Sequence, residues 1–198
     1  MTEPSHKSPL FPLGTVLMPN GPIMLRIFEP RYLDMVTRCM REDEGFVVTL
    51  INKGSETGKT QFRDVGTLAK IVDWHQYDDG VLGITALGQQ RVRIKTRDRQ
   101  ADGLNIGEVE IIPDDPVTPL PEDFGYLVRL LEQLIEQLGE QYSMVDVNYG
   151  DAGWVGSRLA EILPMPNDHK QTCLEMLEPL GRLEVVAAAV KEMTRREN

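Results

Sequence analysis

The sequence contains few of the residues on which the chemistry of most small proteins depends. It has two cysteines, Cys39 and Cys173, and three histidines, and aromatic residues make up 6% of the chain. Two distant cysteines cannot form the disulfide framework that small secreted domains need. Three scattered histidines, without an HExxH or CxxC motif, offer no spacing for a metal site. The sequence therefore favours a reducing compartment, the cytoplasm, and predicts neither a metal nor a cofactor.

Long apolar runs are also missing. The N-terminal residues MTEPSHKSPLFPLG lack the continuous apolar segment of a secretory signal, and the apolar run VVAAAV covers only residues 185–190. A membrane-spanning helix needs about 20 apolar residues. We therefore expect no membrane segment and no membrane partner.

Positive charge is in deficit. The chain carries 21 Lys and Arg against 31 Asp and Glu, a formal net charge of −10. Such a charge repels phosphate backbones and anionic lipids, so nucleic acid is a disfavoured partner. The length of 198 residues fits one large domain or two small ones.

The first half of the chain has the pattern of short strands. Ile23, Leu25 and Ile27 alternate as one face of a strand does, and Pro30 is suited to begin a helix that runs to about Arg41. Further strands are predicted at 46–51, 65–74, 81–87, 91–99 and 104–112, with turn signals at Asp79-Gly80 and Asp102-Gly103. This pattern predicts a small closed or half-closed β-barrel.

The second half of the chain has helical periodicity. Four prolines in residues 113–121 indicate a linker or boundary. Beyond them we predict helices at 124–138, at 151–163 with Asp151 as its cap, from Asn167 or Asp168 as cap, and at 183–193. The prediction is an α+β protein, with a β-barrel in residues 1–115 and an α-helical bundle in residues 116–198.

A phosphate-binding loop is the most tempting catalytic motif. Residues 54–60, GSETGKT, follow an apolar run and end in Gly-Lys-Thr. A Walker A loop needs four residues between its glycines, whereas this segment has three, and no helix is predicted after it. We interpret the segment as an exposed polar loop.

A basic stripe is predicted near the end of the barrel. Five cations alternate in one predicted strand: Arg91, Arg93, Lys95, Arg97 and Arg99. On a regular strand all five project from one face and could bind an acidic peptide or a phosphate chain. Alternatively, Glu108 and Glu110 on the next strand neutralise them, each pair contributing ~0.2–1 kcal/mol. Neutralisation is the favoured interpretation.

Nucleophilic residues lack a recognisable setting. Cys39 and Cys173 are the available thiols, with His6, His75 and His169 as available bases, and none stands in a local signature. Ser157 lies inside a predicted helix rather than at a strand-to-helix elbow. The sequence therefore predicts no catalytic residues, and a small hydrolase that uses Cys39 is the least favoured hypothesis.

One stretch carries a family signature. Residues 10–36 read LFPLGTVLMPNGPIMLRIFEPRYLDMV. The motif residues are Pro12, Leu13, Pro19, Glu29, Pro30, Arg31 and Tyr32, followed later by Gly66 within Val65-Gly66-Thr67 and by Gly88. Together they resemble the N-terminal, substrate-recognition domain of Lon proteases, over most of residues 10–112. The helical remainder is similar to the region that follows in stand-alone bacterial members.

The resemblance implies a PUA-like β-barrel followed by a helical bundle, and a role in binding. In full-length Lon this domain helps to select damaged or unfolded proteins for an ATPase and a protease, for which 198 residues leave no space. We therefore expect a non-catalytic module that binds unfolded or exposed hydrophobic polypeptide at an apolar surface between barrel and bundle, with a separate protease as a candidate partner.

The motif residues are expected to be structural, with Glu29 and Arg31 forming an ion pair at the strand-to-helix corner. The alternative function is RNA binding. PUA-like barrels also occur in RNA-modifying proteins, and the stripe from Arg91 to Arg99 is basic.

Overall fold

The chain divides into two units, Met1–Pro113 and Asp114–Asn198, in a computed structural model that describes residues 6–53 and 61–197. The sequence places the division two residues later, after residue 115. The segment GSETGKT lies outside the described residues, so its interpretation as a polar loop stays a prediction.

The first unit is built on one mixed sheet. Its strands are β1 (His6–Leu13), β2 (Pro22–Ile27), β3 (Phe46–Lys53), β4 (Gln61–Gln76), β5 (Leu82–Ile94), β6 (Asp98–Arg99) and β7 (Asn105–Ile111), with helix α1 (Pro30–Glu42) between β2 and β3. The strand order is β2-β5-β4-β3-β1-β7-β6, and β5 pairs with β7 as well. β1 runs parallel to β3, whereas the other pairs are antiparallel. The α+β class is confirmed.

Strand β5 differs from the prediction. The sequence predicts one strand at 81–87 and another at 91–99, but β5 is continuous from Leu82 to Ile94, and residues 98–99 form the separate short strand β6. The two parts of β5 have different neighbours: residues 82–87 pair with β2, and residues 92–94 pair with β7. Strand β1 was not predicted as a strand.

Helix α1 covers part of the sheet. Pro30 occupies its first turn, where a missing N–H costs nothing, and the predicted end at Arg41 is one residue short of the observed end. Tyr32, Met35 and Val36 on its inner face are buried against the sheet in a core that includes Phe46. This packing fixes the corner between β2 and α1.

The second unit is helical. It contains α2 (Gly125–Leu138), α3 (Ala152–Ile162), α4 (Asn167–Glu175) and α5 (Pro179–Glu197), with 3-10 turns at Glu122–Phe124 and Gly139–Tyr142. The predicted cap of α3 is confirmed, because the Asp151 carboxylate accepts a hydrogen bond from the Trp154 N–H at 2.8 Å. The predicted cap of α4 is wrong. Pro166 precedes the helix, and its carbonyl accepts from the N–H groups of His169 and Lys170, so Asn167 is already helical.

A buried arginine ties the start of the second unit to its helices. The Arg182 guanidinium donates to the Asp115 carboxylate at 2.6 Å and to the carbonyls of Cys173 and Met176 at 2.8 and 2.6 Å. Further along, the Thr118 N–H donates to Asp151 at 3.0 Å. These bonds hold part of the proline-rich stretch 113–121 within the second unit, so the stretch is a boundary but not an extended linker.

Candidate binding groove

A groove of about 480 Å³ lies along strand β2 in the first unit. It is lined by the end of β1 and the two residues after it, by all of residues 23–29, and by Tyr32. The volume lies within the range of roughly 300–1,000 Å³ that is typical of ligand pockets. The groove is formed by the first unit alone.

The lining is mostly apolar. At its base the ring of Phe11 stacks on the ring of Tyr32 with centroids 4.0 Å apart, and Ile27 is 2% exposed. At its rim Phe28 and Met24 are 65% and 53% exposed. Large apolar side chains at a concave surface are typical of a site that binds apolar partners.

Two charged side chains line the groove, and both are paired. Arg26 contacts Asp79 at 2.5 Å, and Glu29 contacts the buried Arg31 at 2.8 Å. A hydrogen bond from the Val81 N–H and the nearby Arg26 guanidinium lower the pKa of the exposed Asp79 carboxyl. The predicted ion pair of Glu29 and Arg31 is therefore present, and Arg31 also donates to the Gly103 carbonyl at 3.0 Å.

The turn between β1 and β2 is held to the sheet by residues of the sequence signature. The Thr67 hydroxyl donates to the Leu17 carbonyl at 2.6 Å. The Asn20 N–H donates to the Gly88 carbonyl at 2.8 Å, and the Gly88 N–H donates to the Gly21 carbonyl at 2.9 Å. These bonds attach residues 17–21, in the segment between β1 and β2, to strands β4 and β5.

Two glycines of the signature lie where neighbouring backbones approach closely. A Cβ on Gly88 would lie 2.3 Å from the Met18 carbonyl oxygen, and a Cβ on Gly66 would lie 2.4 Å from the Val48 carbonyl oxygen. Both distances are shorter than any side chain tolerates, so another residue would push the backbones apart. Gly88 therefore allows the turn to lie against β5, and Gly66 allows β4 to lie close to β3.

The structure places the predicted motif residues around the groove. Leu13, Glu29 and Tyr32 line it directly, which the sequence analysis did not anticipate. The other motif residues lie in β1, in the turn, at the start of α1 and in β4: Pro12, Pro19, Pro30, Arg31 and Gly66. The feature that marks the groove is the exposure of Phe28, and a sequence does not show which side chains are exposed. The sequence therefore contained no direct signal for the groove.

The predicted basic stripe is divided in the structure. Arg91 is 3% exposed and donates to the Pro113 carbonyl at 3.1 Å, whereas Arg93 is exposed and lies opposite Glu110. Strand β5 ends at Ile94, so the five cations do not share one face of a single strand.

The last three cations of the stripe, Lys95, Arg97 and Arg99, have partners. Lys95 contacts Glu110 at 2.5 Å, as the neutralisation hypothesis predicts, and its backbone N–H donates to the Glu108 carbonyl. Arg97 pairs with Asp64, and Arg99 donates to the Gly103 carbonyl at 3.1 Å. A binding role for the stripe stays a prediction.

Both thiols are free and buried. Cys39 is 2% exposed, and its burial raises the pKa of the thiol from 9.0 to about 11. Burial also raises the pKa of Cys173. Because the thiolate is the nucleophile, this setting opposes catalysis by either residue. His75 packs edge-on against Tyr77 with ring centroids 4.4 Å apart.

A further cluster of ionisable groups that the sequence did not suggest lies beside helix α3 in the second unit. The carboxylate of Glu161 contacts the fully buried Arg158 at 3.2 Å and accepts a hydrogen bond from the Tyr142 hydroxyl. The Lys170 ammonium donates to the Glu161 carbonyl at 2.6 Å. Burial raises the pKa of Tyr142 and lowers the pKa of Lys170. These groups bind one another, which is typical of a structural network.

Neither a metal centre nor a membrane span is found in the described ranges 6–53 and 61–197. There, no three His, Cys, Asp or Glu side chains are grouped so that they could hold a metal ion. Over the same ranges, no helix is both long and apolar enough to cross a lipid bilayer.

The mixed sheet, the helix packed at its corner and the helical second unit define an α+β protein with an apolar groove at a sheet edge. Comparison with protein families shows the family to which it belongs. The chain belongs to the family described as the ATP-dependent protease La (LON) substrate-binding domain, whose model matches residues 7–192. The resemblance that the signature indicated is confirmed.

Similar proteins agree with this assignment. A crystal structure of a Lon N-terminal domain protein from Xanthomonas campestris is 34% identical, with a TM-score of 0.76, over 92% of this chain and 98% of that one. Protein cereblon from Danio rerio is 28% identical over 57% of this chain and 28% of its own length. Lon protease 1 from Bdellovibrio bacteriovorus is 27% identical over 82% of this chain and 20% of its own length. The chain thus spans less than a third of these two longer relatives.

Proposed function

We propose that this chain is a non-catalytic polypeptide-binding module, and that the groove along β2 takes exposed apolar segments of unfolded proteins. The observation that carries the proposal is the exposed Phe28 and Met24 at the rim of an apolar groove, in a domain whose family is described as substrate-binding. Unfolded chains expose apolar side chains that folded proteins bury, so such a groove distinguishes the two states.

The proposal differs from the sequence hypothesis in the location of the site. The sequence hypothesis is an apolar surface between barrel and bundle, whereas the groove belongs to the first unit. We also propose that the ring of pairings β5-β4-β3-β1-β7 is a small PUA-like barrel, and that α2 to α5 form a bundle around α3. A separate protease that receives the bound polypeptide is the partner we infer from the Lon relative. The two free thiols support a cytoplasmic location.

The experiment measures binding of a permanently unfolded protein. Fluorescently labelled lysozyme, reduced and carbamidomethylated so that it stays unfolded, is titrated with the chain, and anisotropy is recorded. We expect saturable binding that Phe28→Ser weakens about tenfold, because burying a Phe side chain contributes ~1.5–3 kcal/mol and 1.4 kcal/mol is a factor of ten.

The matched control is Met40→Ser. Met40 is a similarly exposed apolar residue, 45% exposed on α1, and it does not line the groove. This variant should bind as the unmodified chain does. No binding of unfolded lysozyme, or equal loss from both substitutions, would contradict the proposal.

A further inference from the structure

Strand β2 is an edge strand. All six of its residues pair with β5, from Pro22 opposite Leu87 to Ile27 opposite Leu82. On its other side β2 has no partner strand within the part of the chain that the structure describes. In an antiparallel strand, the N–H and C=O groups of one residue point to one side and those of the next residue point to the other side. Strand β2 therefore presents the N–H and C=O groups of every second residue on the side away from β5. We call this side the open edge of β2.

The open edge adjoins the groove. The lining includes every residue from Ile23 to Phe28 along one wall, and Leu13, Gly14 and Thr15 on another. Strand β1 pairs with β7 only as far as Leu10, so beyond that residue it too is paired on one side only, with β3. The groove therefore lies beside two strand segments that each have an unpaired side.

We propose that the groove is filled by β-strand addition, in which an extended segment of a partner polypeptide pairs with the open edge of β2. This inference rests on the proposed function and specifies how the same groove recognises its ligand. Backbone hydrogen bonds hold any sequence in the extended conformation, and side-chain pockets select among sequences. Such recognition suits a protein that must accept many unfolded chains.

The geometry of β2 sets the length and pattern of the segment. A strand of six residues spans about 20 Å, so the added segment is about five or six residues long. Its alternate side chains point to one face, as those of any strand do. The apolar side chains of Leu13, Leu25 and Phe28 line the groove, so apolar residues at every second position of the segment fit it best.

Charge selects the flanks of the segment and disfavours a second copy of this chain as the occupant. The lining charges Arg26 and Glu29 are already paired, so the centre of the segment is uncharged. The chain carries a net charge of −10. A second copy carries the same charge and is repelled, whereas a segment flanked by Lys or Arg is attracted. The partner is thus an unfolded polypeptide with an alternating apolar stretch next to basic residues.

The experiment uses synthetic peptides with the full chain. The probe is a fluorescent peptide of five alternating Val and Ser residues between two pairs of lysines. Two variants carry N-methyl groups on alternate backbone nitrogens, one variant in each register. A strand that pairs on one side needs only one of the two sets of N–H groups, so we expect one variant to bind at least tenfold more weakly and the other to bind almost unchanged. Amide hydrogen exchange of residues 23–27 should slow when the unmodified peptide is bound.

The outcomes separate this inference from the proposed function. If both methylated peptides bind equally well, and Phe28→Ser still weakens binding of unfolded lysozyme, strand addition is overturned and polypeptide binding at the groove remains. Failure of the peptide where unfolded lysozyme still binds overturns strand addition in the same way. Failure of both ligands overturns both proposals. Peptide-sensitive dimers in sedimentation analysis would identify a second copy as the occupant and also overturn the inference.

Discussion

Cys39 shows at the residue scale how an environment removes a reactivity that a residue type suggests. Its sequence position allows either a buried small side chain or a nucleophile. In the structure it lies on the inner face of α1, 2% exposed, and its Sγ is 3.6 Å from the Gly45 carbonyl oxygen. Burial raises the pKa of its thiol to about 11, since the charged thiolate loses its hydration there.

We predict that Cys39 reacts slowly in the folded protein. A rise in pKa from 9.0 to about 11 lowers the thiolate fraction at pH 8 about 100-fold. In a Cys173→Ala variant, where Cys39 is the remaining thiol, labelling by a chromogenic disulfide reagent at pH 8 should be at least that much slower than in urea. Labelling of the folded variant as fast as a free cysteine would revive the hydrolase hypothesis.

The same shift has a consequence for stability. Because the folded-state pKa is raised, the contribution from the neutral thiol is complete below pH 9.0 and is lost as the pH rises through about 11. The free energy of unfolding should therefore fall over that window, and Cys39→Ala should flatten this part of the profile. Chemical unfolding at several pH values measures it.

At the scale of elements, the turn between β1 and β2 shows why a short sequence signature extends to distant residues. The turn is Met18-Pro19-Asn20-Gly21, with Asn20 in the left-handed region at a φ of 59°. Its hydrogen bonds reach Gly88, far along the chain in β5. A larger residue at Gly88 would clash with the turn, so the sequences of the turn and of this part of β5 depend on each other.

We predict that Gly88→Ala destabilises the first unit. The added Cβ would lie 2.3 Å from the Met18 carbonyl oxygen, and forcing extra atoms into a packed site costs about 1–3 kcal/mol. Urea unfolding should show the loss, and binding of unfolded lysozyme should weaken as the groove wall shifts.

The matched control is Gly125→Ala at the start of α2. The nearest atom to its new Cβ is an Arg129 nitrogen at 4.0 Å, so this change should be neutral or stabilise the chain by about 0.4–1 kcal/mol. A Gly88→Ala variant as stable as this control would contradict the role assigned to the turn.

Element boundaries were predicted well where a local signal sets them. Pro30 begins α1, Gly139 follows α2 with a positive φ of 54°, and Asp151 caps α3. The two strands predicted in place of β5 were wrong, because the alternation of side chains does not report which neighbour a strand pairs with. Pairing with β2 and then with β7 depends on residues elsewhere in the chain.

At the scale of the whole molecule, the net charge bears on the choice between the two proposed classes of ligand, unfolded polypeptide and RNA. The net charge of −10 opposes nucleic acid, and the stripe that favoured RNA has one buried and several paired cations. A phosphate backbone would have to displace Glu110 from Lys95 and Asp64 from Arg97. The same net charge is compatible with the basic flanks proposed for the polypeptide segment.

We predict that the chain does not bind RNA. Fluorescent single- and double-stranded RNA is titrated with the chain at ~20 mM salt, where the Debye length is about twice its value at 0.1 M and electrostatic binding is easiest to detect. Anisotropy should show no saturable change. Binding that falls steeply with salt, and that Arg93→Ala weakens while the exposed Arg195→Ala does not, would support the RNA alternative.

The sequence by itself determined the composition-dependent properties and the local ones: acidity, the family signature, the α+β class and helices whose starts and ends carry their own signals. The groove was decided by the tertiary structure. Its walls come from β1, β2 and α1, the turn before β2 is held close to Gly88, and its open edge follows from the fact that β2 pairs only with β5. Exposure and pairing are relations between distant residues, so they exist only once the chain has folded.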